Sequence, residues 1–329
     1  MLLHSAPNLL LFLLTYCYRK RFIVCQCFAL RATLDRAITS TLFFRKSSIF
    51  MYDHASEIVK AAELLRGNTP FTLLSGAGLS TDSGIPAYRN AQGQWVHSPP
   101  MQHHDFMNND AARKRYWARS LGGWLNLYHA QPNRAHQVIA QFQQHGFIDT
   151  VITQNVDGLH QKAGSSTVIN LHGYANDIVC MTCGDRSPRF DLHQRYAELN
   201  PRFNQSVSVI KPDGDAKLSA PTDEFKLIHC DHCGGILKPD VVYFGDNVPK
   251  KRVEACYQAI DDSQGLLIVG SSLKVFSGFR FARYAYQQDK PVIIITKGIT
   301  RADDLATIKI DGNIAETLDQ FRRLLRLPK

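Results

Sequence analysis

Four cysteines stand in two tight pairs, Cys180-Met181-Thr182-Cys183 and Cys230-Asp231-His232-Cys233. Two thiolates at this spacing can bind one ion, and four at about 2.3 Å complete a tetrahedral zinc site. Glycine follows the second cysteine of each pair, as Gly184 and as Gly234-Gly235. It permits the positive φ and close backbone approach that such turns need. One C-x-x-C pair alone reads equally as a redox motif, and four cysteines as two disulfides. Two matched pairs in one chain favour a closed site for one structural Zn2+. Four thiolates leave no position for water, so the chemistry is expected elsewhere.

The flanking segments supply it. Phe71-Thr72-Leu73-Leu74 reads as a short buried strand and runs into Ser75-Gly76-Ala77-Gly78-Leu79-Ser80-Thr81-Asp82-Ser83-Gly84-Ile85-Pro86. A strand, a Gly-rich turn and then a helix present bare backbone N–H groups to a pyrophosphate. The third glycine of the dehydrogenase fingerprint is absent, since Thr81 occupies its place. Val96 stands where a ribose-binding carboxylate would fall. A dinucleotide is thus suggested, and hydride transfer is disfavoured. Three further apolar runs end in polar turns: Phe147 to Thr153 before Gln154-Asn155-Val156-Asp157-Gly158-Leu159-His160, Gly265 to Val269 before Gly270-Ser271-Ser272-Leu273, and Val292 to Ile295 before Thr296-Lys297-Gly298. Continuous β-branched runs fit strands buried on both faces of a parallel sheet. In such sheets ligands lie beyond the carboxyl ends of the strands. Any one turn of Asn, Asp, Gly and Ser is ordinary turn chemistry, but four at one edge point to a ligand crevice.

With these segments in view, the chain resembles the sirtuin family. The resemblance rests on Gly-Ala-Gly-Leu-Ser, Gly84-Ile85-Pro86-Ala87-Tyr88-Arg89, Thr153 to His160, Leu171-His172-Gly173, both cysteine pairs, Lys238 to Asp246 and Gly270-Ser271-Ser272-Leu273. It spans roughly residues 57 to 320, in the family's order. Arg115 to Arg119, Cys183 to Arg189 and Pro212 to Asp215 further resemble the class II, sirtuin-4-like branch. The resemblance implies an NAD-dependent protein lysine deacylase that passes the acyl group to ADP-ribose and releases nicotinamide. It implies that Gly76, Ala77, Gly78, Asp82, Tyr88 and Arg89 line the phosphate and ribose side, and that Gln154, Asn155 and Asp157 hold nicotinamide and its ribose. Gly270, Ser271, Ser272, Thr296, Lys297, Gly298 and Ile314 would then meet the adenosine half. His172 would be the general base, and an imidazole of ordinary pKa near 6.5 suits that task at neutral pH.

The implied substrates are acylated-lysine proteins. Val241 to Phe244 is β-rich and is expected to add an extended peptide as a strand. The resemblance makes Val242, Tyr243 and Gly245 substrate contacts, and Asp246 a mild replacement for the family's usual Glu. Tyr116 and Arg119 form a Tyr-x-x-Arg pair, and a guanidinium there would suit acidic acyl chains. The plainer expectation is a solvated helix face within the basic run Arg113, Lys114, Arg115 and Arg119.

A chain of 329 residues with 44% hydrophobic and 20% charged residues holds one large domain plus an inserted module. The expected fold is α/β, a doubly wound parallel-sheet (Rossmann-like) domain over 51–175 and 239–329, with a small zinc-binding domain over 176–238. Asn204 to Glu224 reads as loop, and Ser56 to Leu65 as a helix. Residues 1–50 hold seven basic residues against Asp35, a net +6 that leaves +3 of the total +9 for the body. Nucleic-acid binding therefore has little support. Three of the eight cysteines lie in this leader, four are the expected ligands, and Cys256 is left over. That pattern suits a reducing compartment. The apolar run Leu9 to Leu14 stops too soon to span a bilayer. The leader reads as sequence upstream of a start at Met51, which implies a cytoplasmic bacterial protein. Its Arg-rich composition alternatively suits a mitochondrial presequence and the matrix. Two rival functions remain: protein ADP-ribosyl transfer from the same pocket, or an NAD-sensing interaction module. An intact Gln154-Asn155-Val156-Asp157 with His172 argues against a pure sensor.

Overall fold

A computed structural model describes residues 55–90, 92, 94–96, 100–204 and 221–328. The leader and most of the expected 204–224 loop lie outside them. Apart from residue 55, they belong to one compact unit, Ser56–Lys329.

The apolar runs form the sheet they suggest. β1 (Phe71–Ser75), β2 (Ile148–Thr153), β3 (Val168–Asn170), β7 (Leu266–Val269), β8 (Val292–Ile295) and β9 (Ile308–Ile310) are all parallel, in the order β3-β2-β1-β7-β8-β9. Every residue of β1, β7 and β8 is buried. The period of two sends alternate side chains to two separate cores. Phe71, Leu73, Leu267, Val269, Ile293 and Ile295 meet helices 55–67, Arg134–Gln144 and Ile314–Leu324 on one face. Leu74, Leu266, Ile268, Val292 and Ile294 meet helices Lys250–Asp261 and Phe276–Gln287 on the other. Full burial of one such Leu, Ile or Val is worth about 1.5–3 kcal/mol. Leftover Cys256 belongs to the second core, where burial pushes its thiol up to about 12, so it is inert packing. Strand order reverses between β1 and β7, which makes their carboxyl ends the switch point where a crevice opens.

A second, antiparallel sheet is built from β4 (Gly173–Cys180), β5 (Arg186–Pro188) and β6 (Leu237–Val241), in the order β5-β4-β6. Its core draws on Phe106, Tyr116, Trp117, Ile178, Leu192, Tyr196 and Phe225. Arg189, 2% exposed, lies between the rings of Trp117 (5.7 Å) and Trp124 (4.9 Å) and donates to the Ala175 carbonyl at 2.9 Å. A guanidinium stacked on aromatic faces and hydrogen-bonded costs far less to bury than a bare one. Gly173, at φ +91°, begins β4, and a Cβ there would overlap the Asp240 carbonyl. No helix among the described residues is long and apolar enough to cross a membrane.

Two expectations need correction. The segment after β1 is a 3₁₀ helix, Ala77–Ser83, ended by Gly84 at φ +82°, not an α-helix with bare amides. Gly76 N–H donates to Val269 O (3.0 Å), Gly78 N–H to Gly270 O (2.9 Å) and Leu79 N–H to Gly76 O (3.0 Å). The basic run is not a solvated face either. Arg113 is buried and donates to the Phe106 and Met107 carbonyls, both at 2.8 Å. Tyr116 lies within an aromatic cluster with Phe106, Trp117 and Tyr243. Of the run only Arg115 is exposed, while Lys114 and Arg119 are half-buried.

Candidate active site

At the switch point lies a cavity of about 710 Å³, within the range of small-molecule sites. The turns after β1, β2, β7 and β8 all reach it, together with Asn313 and Ile314 at the start of the last helix. Its walls include Gly76, Ala77, Gly78, Asp82, Tyr88, Arg89, Gln154, Asn155, Asp157, Gly270, Ser271, Ser272, Thr296, Lys297 and Ile314. His172, Val242, Tyr243 and Gly245 line it too. Gly298 does not. Its N–H is tied to Asp311 Oδ1 at 3.0 Å and its carbonyl accepts from Lys309 Nζ at 3.0 Å. Tyr116 and Arg119 are also absent from the walls.

The glycines owe much to chain packing. A Cβ on Gly78 would stand 2.9 Å from Gly270 O, and one on Gly76 would stand 2.7 Å from Ser271 Cβ. These contacts press the turns after β1 and β7 together at the base of the crevice. Polar side chains bind the same strand ends. Gln154 Nε2 donates to Ser271 Oγ (2.7 Å) and to Ser75 O (3.2 Å). Asn155 Nδ2 donates to Gly76 O (3.1 Å) and Ser80 Oγ (3.0 Å), and Ser80 Oγ donates to Asp157 Oδ2 (2.7 Å). Burial raises the Asp157 pKa, partly offset by donation from Leu159 N–H and Ser80. In the sequence Ser80 is one residue of the Gly-rich motif with no role of its own. Its bonds to both predicted residues show that it orders them.

On the substrate side, Val242 N–H donates to His172 O (2.8 Å), and Phe244 O accepts from His103 N–H (2.9 Å). Gln102 bridges Phe244, so one edge of the expected peptide-binding strand is already paired. Tyr243 is 7% exposed, its ring 5.2 Å from Phe106 and 5.5 Å from Tyr116. It is more a floor than a contact surface. Asp246 Oδ2 lies 3.1 Å from His103 Nδ1 and 4.0 Å from buried Lys238 Nζ. Tyr88, Trp95 and Phe244 cluster at 5.6–6.4 Å, and Arg89 lies 4.0 Å over Trp95.

His172 Nδ1 is 2.9 Å from the Gln154 carbonyl and Nε2 is 2.8 Å from Ser277 Oγ. A carbonyl only accepts, so Nδ1 carries the proton and the Nε2 lone pair faces the cavity side. Burial lowers the His172 pKa to about 4, opposed by the Gln154 bond and aided by Arg252. The ordinary value near 6.5 expected from sequence is corrected accordingly.

The four cysteine sulfurs lie within 4.8 Å of one another, with Cys180–Cys233 at 3.5 Å and Cys183–Cys230 at 3.8 Å. A zinc–sulfur distance of 2.3 Å in a tetrahedron requires sulfurs about 3.8 Å apart. The residues fit one zinc, and these separations are far too long for disulfides.

A family model described as the Sir2 family matches residues 76–277. The chain belongs to the Sir2, or sirtuin, family. This sirtuin is 46% identical to NAD-dependent protein deacetylase 1 of Streptomyces coelicolor over 256 residues, 78% of this chain and 85% of that one. It is 42% identical to the NAD-dependent protein deacetylase of Bordetella bronchiseptica over 269 residues, 82% and 98% of the two chains. Among solved structures it is similar to a Sir2 with a p53 peptide and NAD+ (27% identity, TM-score 0.63, covering 80% of this chain and 96% of that one). It is also similar to a Sir2 bound to a propionylated peptide (25%, 0.66, covering 82% and 98%).

Three more imidazoles, two of them buried, have depressed pKa values in this sirtuin. His136 falls to about 4 and His160 well below its ordinary value, both chiefly through burial, and partly exposed His193 falls to about 4. Folded-state values below the unfolded 6.5 mean that the unfolded chain binds more protons as pH drops. The stability these residues confer is complete above about pH 6.5 and is lost as pH falls toward 4. Fully buried His136 alone accounts for about 3 kcal/mol over that window. Urea midpoints are expected to fall steeply from pH 7 to 5, less so in His136→Gln. A midpoint level across that interval contradicts the assignment.

Proposed function

We propose that this sirtuin is an NAD-dependent protein lysine deacylase acting through the cavity at the β1/β7 switch point. One observation carries the reading. A single cavity joins the four polar turns, the His172 imidazole with its free-base nitrogen turned inward, and the segment Val241 to Asp246. Bound NAD supplies the electrophilic anomeric carbon and the ADP-ribose that receives the acyl group. The cross-linked Gln154, Asn155, Ser80 and Asp157 hold the amide and ribose of that dinucleotide in one orientation. Such preorganised polar groups cost no rearrangement when charge develops on the sugar. The Gly76-to-Asp82 turn with Tyr88 and Arg89 lies on the phosphate side. Gly270, Ser271, Ser272, Thr296, Lys297 and Ile314 lie on the adenosine side. The acyl-lysine enters beside Val242 and Gly245, and its acyl oxygen attacks the anomeric carbon as the bond from that carbon to nicotinamide breaks and nicotinamide leaves. His172 Nε2 then takes the proton of a ribose hydroxyl, whose oxygen receives the acyl carbon.

The sequence blocks Arg115 to Arg119 and Cys183 to Arg189 support placement in the class II branch. The position of Tyr116 within an aromatic cluster does not support an acidic-acyl preference. The cysteine pattern supports a reducing compartment, the bacterial cytoplasm or alternatively the mitochondrial matrix. The full chain, incubated with NAD and acetyl-, propionyl- and glutaryl-lysine peptides, is followed by mass spectrometry. The expected result is NAD-dependent loss of acetyl, faster than of glutaryl, with an equal yield of acyl-ADP-ribose. Nicotinamide release without acyl-ADP-ribose would replace this reading with ADP-ribosyl transfer, and no NAD consumption would leave a binding module.

A further inference from the structure

We propose that Ser277 is a positioning residue for the base step, the hydroxyl partner that aims His172 Nε2 and accepts its hydrogen bond once it is protonated. This rests on the reading of His172 as general base. Ser277 is the second residue of helix Phe276–Gln287, and Val275 at the N-cap makes no side-chain cap bond. Its Oγ lies 2.8 Å from His172 Nε2, and both side chains border the cavity. The neighbouring residue fixes the helix in place, because a Cβ on Gly278 would meet the Gln154 side chain. Gln154 in turn holds His172 Nδ1 through its carbonyl at 2.9 Å. Both ring nitrogens are therefore gripped by one packed unit of turn and helix.

The hydroxyl suits both protonation states. Before reaction Nε2 has only a lone pair, so Ser277 donates to it. In the base step the Ser277 O–H turns away and the ribose hydroxyl takes its place as donor to the one Nε2 lone pair. The ribose O–H bond breaks, an Nε2–H bond forms, and the electron pair stays on the ribose oxygen that bonds to the acyl carbon. The ring is then a cation with N–H groups on both sides. Ser277 rotates about its C–O bond and accepts from Nε2–H, while Gln154 O still accepts from Nδ1–H. Hydrogen bonds to a charged donor are roughly twice as strong as neutral ones. The serine thus favours the imidazolium over the free base, against the nearby charge of Arg252.

The test compares Ser277→Ala, Ser277→Thr and His172→Ala in the full chain. Ser277→Ala is expected to lower kcat roughly tenfold, the effect of losing one hydrogen bond in the transition state, with the KM values for NAD and peptide and the rate of nicotinamide exchange unchanged. Ser277→Thr restores most of kcat. In ¹⁵N spectra the His172 Nε2 resonance moves downfield in Ser277→Ala, as a pyridine-type nitrogen does on losing a donor. Unchanged kcat and an unmoved resonance in Ser277→Ala, alongside an inactive His172→Ala, overturn the role of Ser277 alone. Full activity in His172→Ala overturns the base assignment beneath it.

Discussion

Stripping the metal, or replacing Cys180 with serine, is expected to abolish deacylation while leaving the six-stranded sheet folded. The two cysteine knuckles are the same turn made twice. Gly184 N–H donates to Cys180 O at 3.0 Å and Gly234 N–H to Cys230 O at 2.8 Å, while Cys180 and Cys230 donate to Asp185 O and Gly235 O at 2.8 and 2.9 Å. Cys180 ends β4, and Met181 N–H of the first knuckle donates to the carbonyl of Ile236 (2.8 Å), the residue through which the second knuckle runs into β6. One strand therefore starts beside His172, and the other runs directly into the substrate segment. Without the metal, the two knuckles are held only by their backbone bonds and the Cys180–Leu237 end of the β4/β6 ladder, and nothing joins the four sulfurs. Structural zinc contributes about 10 kcal/mol or more of apparent binding free energy, more than the small antiparallel sheet can replace. Both sheet cores of the large domain contain no residue between 176 and 238, so they persist. The expected readouts are one zinc per chain by elemental analysis, a new low-temperature unfolding transition after chelation, and deacylase activity regained on adding zinc. A zinc-free protein with full activity and a single unchanged transition would refute the structural role.

What the sequence disclosed and what it withheld follow from the range of each interaction. The knuckle glycines were legible because the constraint is local: Gly184 and Gly234 do take positive φ, +77° and +70°. The strands β1, β2, β7 and β8 were legible because burial on both faces makes their apolar runs continuous. β3 and β9 escaped notice, since each spans three residues and a three-residue run carries no period. The 3₁₀ form of the turn after β1 and the internal pairing of its amides depend on the contact between Gly78 and Gly270, far apart in sequence. Arg113 looked solvated because a run of basic residues on a helix usually is. Its burial comes from the carbonyls that end the preceding helix, His103–Asn108. The bond between His172 and Ser277 joins residues 105 apart. No spacing rule could have announced it.

His172→Ala is expected to lower acyl transfer by about 10²- to 10⁴-fold, the usual contribution of a positioned general base, with nicotinamide exchange continuing. The two readouts separate because the acyl oxygen attacks the sugar before any ribose proton is taken. Added imidazole should restore part of the lost rate, since the cavity is large enough to admit it beside the vacated wall. The pH profile gives a sharper test. An imidazole of ordinary pKa would lose half its base form at about pH 6.5. His172 is held near 4 by burial, and a base is active above its pKa. In wild-type protein kcat/KM, which reports the free enzyme, should therefore stay level from pH 8 down through 6. It should fail only where protonation of the buried histidines unfolds the chain. The low value also makes the nitrogen a weaker base in the empty site, so the reaction depends on groups that favour the imidazolium as it forms. Gln154 O and the Ser277 hydroxyl occupy those positions. A profile already falling by half at pH 6.5 in folded enzyme would contradict the buried-base assignment. Undiminished acyl transfer by His172→Ala would remove this residue from the chemistry altogether.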